Sequence, residues 1–114
     1  MIISINPNEL IGMKYDKDNF HCYNFLEKVY GENIPNLKDV AVNSAKDDIN
    51  QYKELFSEIK YPTAYCVAVL GDKHIGIYKN SHIYHNDIDG VRCENVRAMK
   101  LKYKDIKYYD ICKN

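Results

Sequence analysis

The chain has 114 residues, of which 46% are apolar and 28% charged. That is the composition of one globular domain, residues 1–114, with too little chain for two stable cores. Sixteen basic residues balance sixteen acidic ones, which gives no electrostatic footprint for duplex nucleic acid or an anionic membrane. The longest strongly apolar stretch, Ala64 to Leu70, is too short to cross a bilayer. Neither nucleic acid nor membrane insertion is therefore expected.

Met1-Ile-Ile-Ser-Ile5 lacks the basic start and the long apolar core of a secretory signal. The expectation is a product made in the cytoplasm, with export, if any, by another route. Cys22, Cys66, Cys93 and Cys112 are scattered and form no CxxC pair. Reduced thiols are the default in that setting, and cysteines inside apolar runs act as small buried hydrophobes.

The first half reads as helical. Asn19 is the expected N-cap of a helix whose apolar residues, Cys22, Phe25, Leu26 and Val29, follow at i, i+3, i+4 and i+7. Gly31 ends it. After a loop at Asn33-Ile-Pro-Asn36, Ser44 with Asp47 opens a second predicted helix. Its buried stripe is Ala45, Ile49, Tyr52, Phe56 and Ile59, and Pro62 closes it.

From Ala64 the period changes. Ala64-Tyr-Cys-Val-Ala-Val-Leu70 is a continuous apolar run of strand length, as in a central strand buried on both faces. His74-Ile-Gly-Ile-Tyr78 and His82-Ile-Tyr-His85 read as the arms of a hairpin. Val91 to Val96 and Ile106 to Cys112 are further strand candidates. The predicted class is α+β, with N-terminal helices packed on a central antiparallel sheet.

Cys22 falls in the first turn of its helix, where unpaired amides and the helix dipole favour a thiolate. The same position lies on the apolar stripe, so a packed core cysteine is the competing reading. A thiol nucleophile needs a base within about 3 Å and a third group to orient that base. Three of the four histidines, His74, His82 and His85, lie in the hairpin. A two-residue loop at Lys79-Asn80 would pair Tyr78 with Ser81 and set His74 directly opposite His85, on the face that carries Gly76. His82 would then face the other way, with Ile75 and Ile77. A three-residue loop is the alternative register.

Two other chemistries compete. His82, His85 and Cys93, with His74, offer zinc donors. Residues three apart on a strand point to opposite faces, however, so no metal and no other cofactor is expected. The eleven tyrosines recur at helix or strand spacing and read as half-buried packing rather than a stacking surface. Lys100 to Lys107, diluted by Asp105, reads as a lysine-protected strand edge.

The residues Leu10-Ile-Gly-Met-Lys-Tyr15, then Phe20-His-Cys22-Tyr-Asn-Phe-Leu, then His74-Ile-Gly-Ile-Tyr78 and Ile83-Tyr-His85, resemble the NlpC-type cell-wall cysteine peptidases. The short forms found in phage tail modules are the nearest in pattern. The resemblance runs from about residue 10 to the C-terminus and implies a papain-like fold. It also implies Cys22 as nucleophile, His74 as general base, His85 as its orienting group, and Tyr15 as an oxyanion donor beside the Cys22 amide. The implied substrates are amide bonds of peptidoglycan stem peptides, typically between D-glutamate and a diamino acid. Phage tail proteins are the implied partners, and a virion-associated or wall-delivered location goes with them. The chain departs from the family at His21, usually Asp, and at Asn24, usually Gly. It also has Asp18-Asn19 in place of a glycine pair, and Ala64-Tyr65 in place of Gly-Asp. Two alternatives stay open: a structural or binding subunit of a tail-like assembly without turnover, and an acyltransferase using the same triad.

Overall fold

Most of the apolar residues after position 55 are arranged to fill a two-sided sheet. The computed structural model describes residues 3–18, 20–31, 56–71 and 74–111. Its strands are β1 (Phe56–Ile59), β2 (Val67–Leu70), β3 (His74–Lys79), β4 (His82–Asp87), β5 (Gly90–Asn95) and β6 (Ile106–Ile111). They form one antiparallel sheet in the order β1-β6-β2-β3-β4-β5. Helix α1 (Cys22–Tyr30) precedes the sheet and α2 (Val96–Lys102) joins β5 to β6.

Side chains alternate across a strand, and this sheet buries both sets. On one face, Val67, Val69, Ile75, Ile77, Tyr84, Val91 and Tyr109 pack with Cys22, Phe25, Leu26, Val29 and Tyr30 of α1. On the other, Ala68, Leu70 and Ile83 pack under Met99 of α2, with Tyr78, Tyr103, Ile106 and Tyr108 at the margin. Each large side chain removed from water contributes about 1.5–3 kcal/mol before conformational entropy is charged against it. β2 is buried along its whole length, as its unbroken apolar run requires.

The expected fold class is overturned. The described structure is dominated by a six-stranded antiparallel sheet, and it lacks the papain-like packing of N-terminal helices on a central sheet. Among the described residues a 3-10 turn at Pro7–Leu10 and the single α-helix α1 precede the strands, and α2 follows five of them and covers the opposite face. Phe56–Ile59, expected at the end of the second helix, is strand β1. Its ladder pairs Phe56 with Ile111 and Ile59 with Tyr108. Apolar residues three apart suit a helical stripe, but a partner strand fifty residues away supplies the hydrogen bonds that decide the matter. The loop at 33–36 and the rest of that expected helix, 44–55, lie outside the described residues.

Two smaller corrections follow from the same tertiary context. Lys100 and Lys102 belong to α2, and Lys107 lies on β6 between β1 and β2, so the 100–107 run is no sheet edge. The predicted central strand loses its first three residues, because Tyr65 turns the chain at φ 64° before β2 begins.

Candidate functional site

The β3–β4 turn sets the geometry of the histidines. Asn80 and Ser81 both have positive φ, 50° and 62°, the primed two-residue turn whose twist matches antiparallel strands. Asparagine tolerates that conformation, so the loop is Asn80-Ser81, not Lys79-Asn80. Lys79 pairs with His82, Tyr78 with Ile83, and Gly76 with His85. His74 is therefore not directly opposite His85 but one diagonal step along the same face. That even-numbered slip keeps both rings on one side of the sheet.

The two rings meet above Gly76. His74 Nε2 and His85 Nδ1 are 2.9 Å apart, with the ring planes at 86°. His85 Nε2 lies 2.5 Å from Glu94 Oε2. Burial works against the Glu94 carboxylate, yet the hydrogen bond and charge of His85, with Arg92, outweigh it and hold its pKa below the ordinary value. An ionised Glu94 makes His85 Nε2 the donor. With a single proton on His85, at Nε2, its Nδ1 accepts and His74 donates from Nε2. The lone pair left for chemistry is on His74 Nδ1. His74 also stacks on Tyr103, the C-cap of α2, at 6.1 Å and 24°. Burial first, and the neighbouring His85 second, push the His74 pKa down to about 4. It is a neutral base at ordinary pH.

Cys22 is the first residue of α1. The cap is His21, not Asn19, which lies outside the described residues. His21 Nδ1 accepts from the Tyr23 amide at 3.2 Å, and Asn24 Oδ1 accepts from the His21 amide at 3.0 Å. Two of the positions where the chain departs from the resembled pattern, His21 and Asn24, thus form one reciprocal capping box. Burial lowers the His21 pKa, with Glu27 opposing. Cys22 is 2% exposed and belongs to the core on the α1 face. None of Cys22, Cys66 and Cys93 is in a disulfide.

The expected site residues are therefore brought together in two groups. His74 and His85 share the α2 face. Cys22 heads the helix on the other face, at the same end of the sheet. Asn86, fully buried beside His85, ties the two groups: its Nδ2 donates to the carbonyls of Phe20 at 2.8 Å and His21 at 3.3 Å. Tyr15 also senses both groups, since burial first, then the charges of Cys22 and Asp87, raise its pKa. Replacing Asn86 with leucine should remove two side-chain bonds to carbonyls that keep the Asp16 and Phe25 amides as donors, and cost about 1–2 kcal/mol. Urea denaturation checks this, and a change below about 0.5 kcal/mol would mean that the clamp does not hold α1.

Sequence reasoning missed Glu94, Asn86 and Asp87. The signal for Glu94 was available once β4 and β5 were registered, because Ile83 pairs with Glu94 and His85 with Arg92. An acid diagonal to a buried histidine is a natural partner. The zinc set weighed from the sequence does not assemble, since His82 and Cys93 point to the α1 face, away from His74 and His85. Donor atoms of His74, His85 and Asp87 do lie within 4.8 Å of one another, close enough to share a cation. The lone pair that would bind it on His85 is the one that accepts from His74. No model of a known protein family matches the chain, and neither a characterised protein nor a solved structure matches it.

Proposed function

We propose that the chain is a thiol hydrolase that cleaves amide bonds, with Cys22 as nucleophile and His74 Nδ1 as general base. His85, held by Glu94, fixes the tautomer of His74. The observation that carries this reading is the Glu94–His85–His74 chain of hydrogen bonds. It fixes the ring, leaves one lone pair open and keeps that nitrogen deprotonated near neutrality, which is what a general base needs. The Asn86 clamp supports the role of Cys22, because it holds the two residues before the thiol against the strand of His85.

Turnover requires the sulfur to meet His74 around the end of the sheet. The thiolate then attacks the carbonyl carbon, the oxyanion rests on the Cys22 amide and Tyr15, and His74 returns the proton to the leaving amine. Peptidoglycan stem peptides are the proposed substrate and a phage tail the proposed carrier, both on the sequence resemblance alone. A second reading has a specific observation in its favour. Cys22 is packed in the α1 face, which suits a binding or structural subunit that performs no hydrolysis.

Digestion of purified peptidoglycan, read by mass spectrometry of released peptides, tests the first reading against Cys22→Ala. The variant should lose turnover by about 10³-fold or more and keep the wild-type melting temperature within a few degrees. Undiminished release by Cys22→Ala would sink the thiol mechanism. Alkylation at pH 6 supplies an independent check. Cys22 should label faster than Cys66, whose thiol burial pushes up to about 11. Uniformly slow labelling favours the second reading.

A further inference from the structure

At the hairpin-turn end of the α2 face lies a cavity of about 520 Å³, lined by Lys60, Tyr61, Tyr78, Arg97, Lys100 and Tyr108, with Ser81 and Asn95 at its rim. Its size falls in the range of small-ligand sites. Three cations and no carboxylate line it, in a chain whose formal net charge is zero. Among the described residues none of Lys60, Arg97 and Lys100 is in an ion pair. The site is separate from the histidines: Tyr78 stands four residues along β3 from His74, about 13 Å at strand rise.

We propose that this cavity binds a peptide segment bearing two or more carboxylates, independently of any turnover at Cys22. Charge selects an anion, and the ring geometry selects which kind. Tyr78 and Tyr108 meet edge to face at 5.5 Å, and Lys60 sits over the Tyr61 ring at 5.6 Å. Tyr78 and Tyr108 are half-buried against each other, which leaves Tyr61, with Lys60 over one face, as a single exposed ring rather than the successive platforms on which single-stranded bases stack. Arg97 brings a planar fork suited to a carboxylate, and the two lysines add point charges that can meet a second one. Backbone groups beside the cavity are already used: Asn95 Oδ1 accepts from the Arg97 amide, and the Ser81 carbonyl accepts from Val96. That fixes the start of α2 and hence the base of the Arg97 side chain.

Isothermal titration of the full chain with tri-L-glutamate, tri-L-glutamine and the oligonucleotide dT4, at about 50 mM salt, tests this. Tri-glutamate should bind at about 1 mM or tighter, and tri-glutamine at least about tenfold more weakly. Arg97→Ala with Lys100→Ala, both exposed positions, should weaken tri-glutamate by about tenfold without changing the melting temperature. Raising the salt to about 300 mM should weaken it as well. Tri-glutamate binding that the double variant leaves untouched, no detectable tri-glutamate binding, or tighter binding of dT4 would each overturn the proposal. Because Cys22→Ala should bind tri-glutamate as the wild type does, loss of hydrolysis and loss of binding fail separately.

Discussion

A His74→Gln variant is expected to hydrolyse peptide about 10²–10⁴-fold more slowly than the wild type while remaining folded. Glutamine can still donate to His85 Nδ1, so the buried imidazole keeps a partner, but it cannot take a proton from a thiol. The wild-type rate should also keep its plateau well into acid. Burial and the neighbouring His85 hold the His74 pKa down to about 4 against an ordinary 6.5, so the acid limb should fall near 4. An acid limb at about 6.5 in the wild-type pH–rate profile would mean that His74 is not the working base in this environment. The same shift has a stability consequence of known sign. Between pH 6.5 and 4 the unfolded chain binds a proton at His74 that the folded chain refuses. Stability present above 6.5 is therefore lost as the pH falls toward 4, by an amount on the order of 3 kcal/mol, and levels off below that. His74→Gln should flatten this part of the pH–stability curve.

Gly76→Ala is expected to be strongly damaging for the addition of one methyl group. A Cβ at Gly76 would stand 2.7 Å from the Tyr84 carbonyl oxygen, 2.8 Å from Ile83 Cγ2 and 3.2 Å from His85 Cβ. The first of these is backbone, which cannot swing aside, so β3 and β4 must separate or slip. Overpacking of this kind costs about 1–3 kcal/mol, and here the loss of ladder bonds adds to it. Urea denaturation should give a loss of at least about 2 kcal/mol, accompanied by a fall in hydrolysis as His85 is pushed away from His74. A variant within about 0.5 kcal/mol of the wild type would mean that the strands are not as closely apposed as described. No relief comes from backbone conformation, because Gly76 lies in regular strand and is present for its missing side chain rather than for its φ.

The two expected results concern one small volume, and much of that volume was legible in the sequence. The hairpin, its glycine and the facing of His74 and His85 follow from the alternation of side chains, which survives an even-numbered error in register. The register itself did not follow, because Lys79-Asn80 and Asn80-Ser81 are both acceptable turn pairs by composition. The choice rests on which pair adopts the left-handed conformation while β4 also aligns with β5. The cap of α1 lies two residues beyond the Asn19 that propensity favours, for a similar reason. Asparagine is a good cap by propensity, whereas the His21–Asn24 box depends on two side chains reaching back at once.

Burial of β2 on both faces, the presentation of Phe25, Leu26 and Val29 of α1 to a core, and the placing of two histidines on one side of a hairpin can all be read from the residues in order. Each is a matter of local period, and local period is written in neighbouring residues. That Phe56–Ile59 is a strand, that α1 and the histidine pair lie on opposite faces, and that Glu94 bonds to His85 emerge from the assembled sheet. Those outcomes depend on strand order and on which face each helix covers. Both are set by burying the apolar surface of the whole chain at once, a quantity that no short stretch of sequence contains.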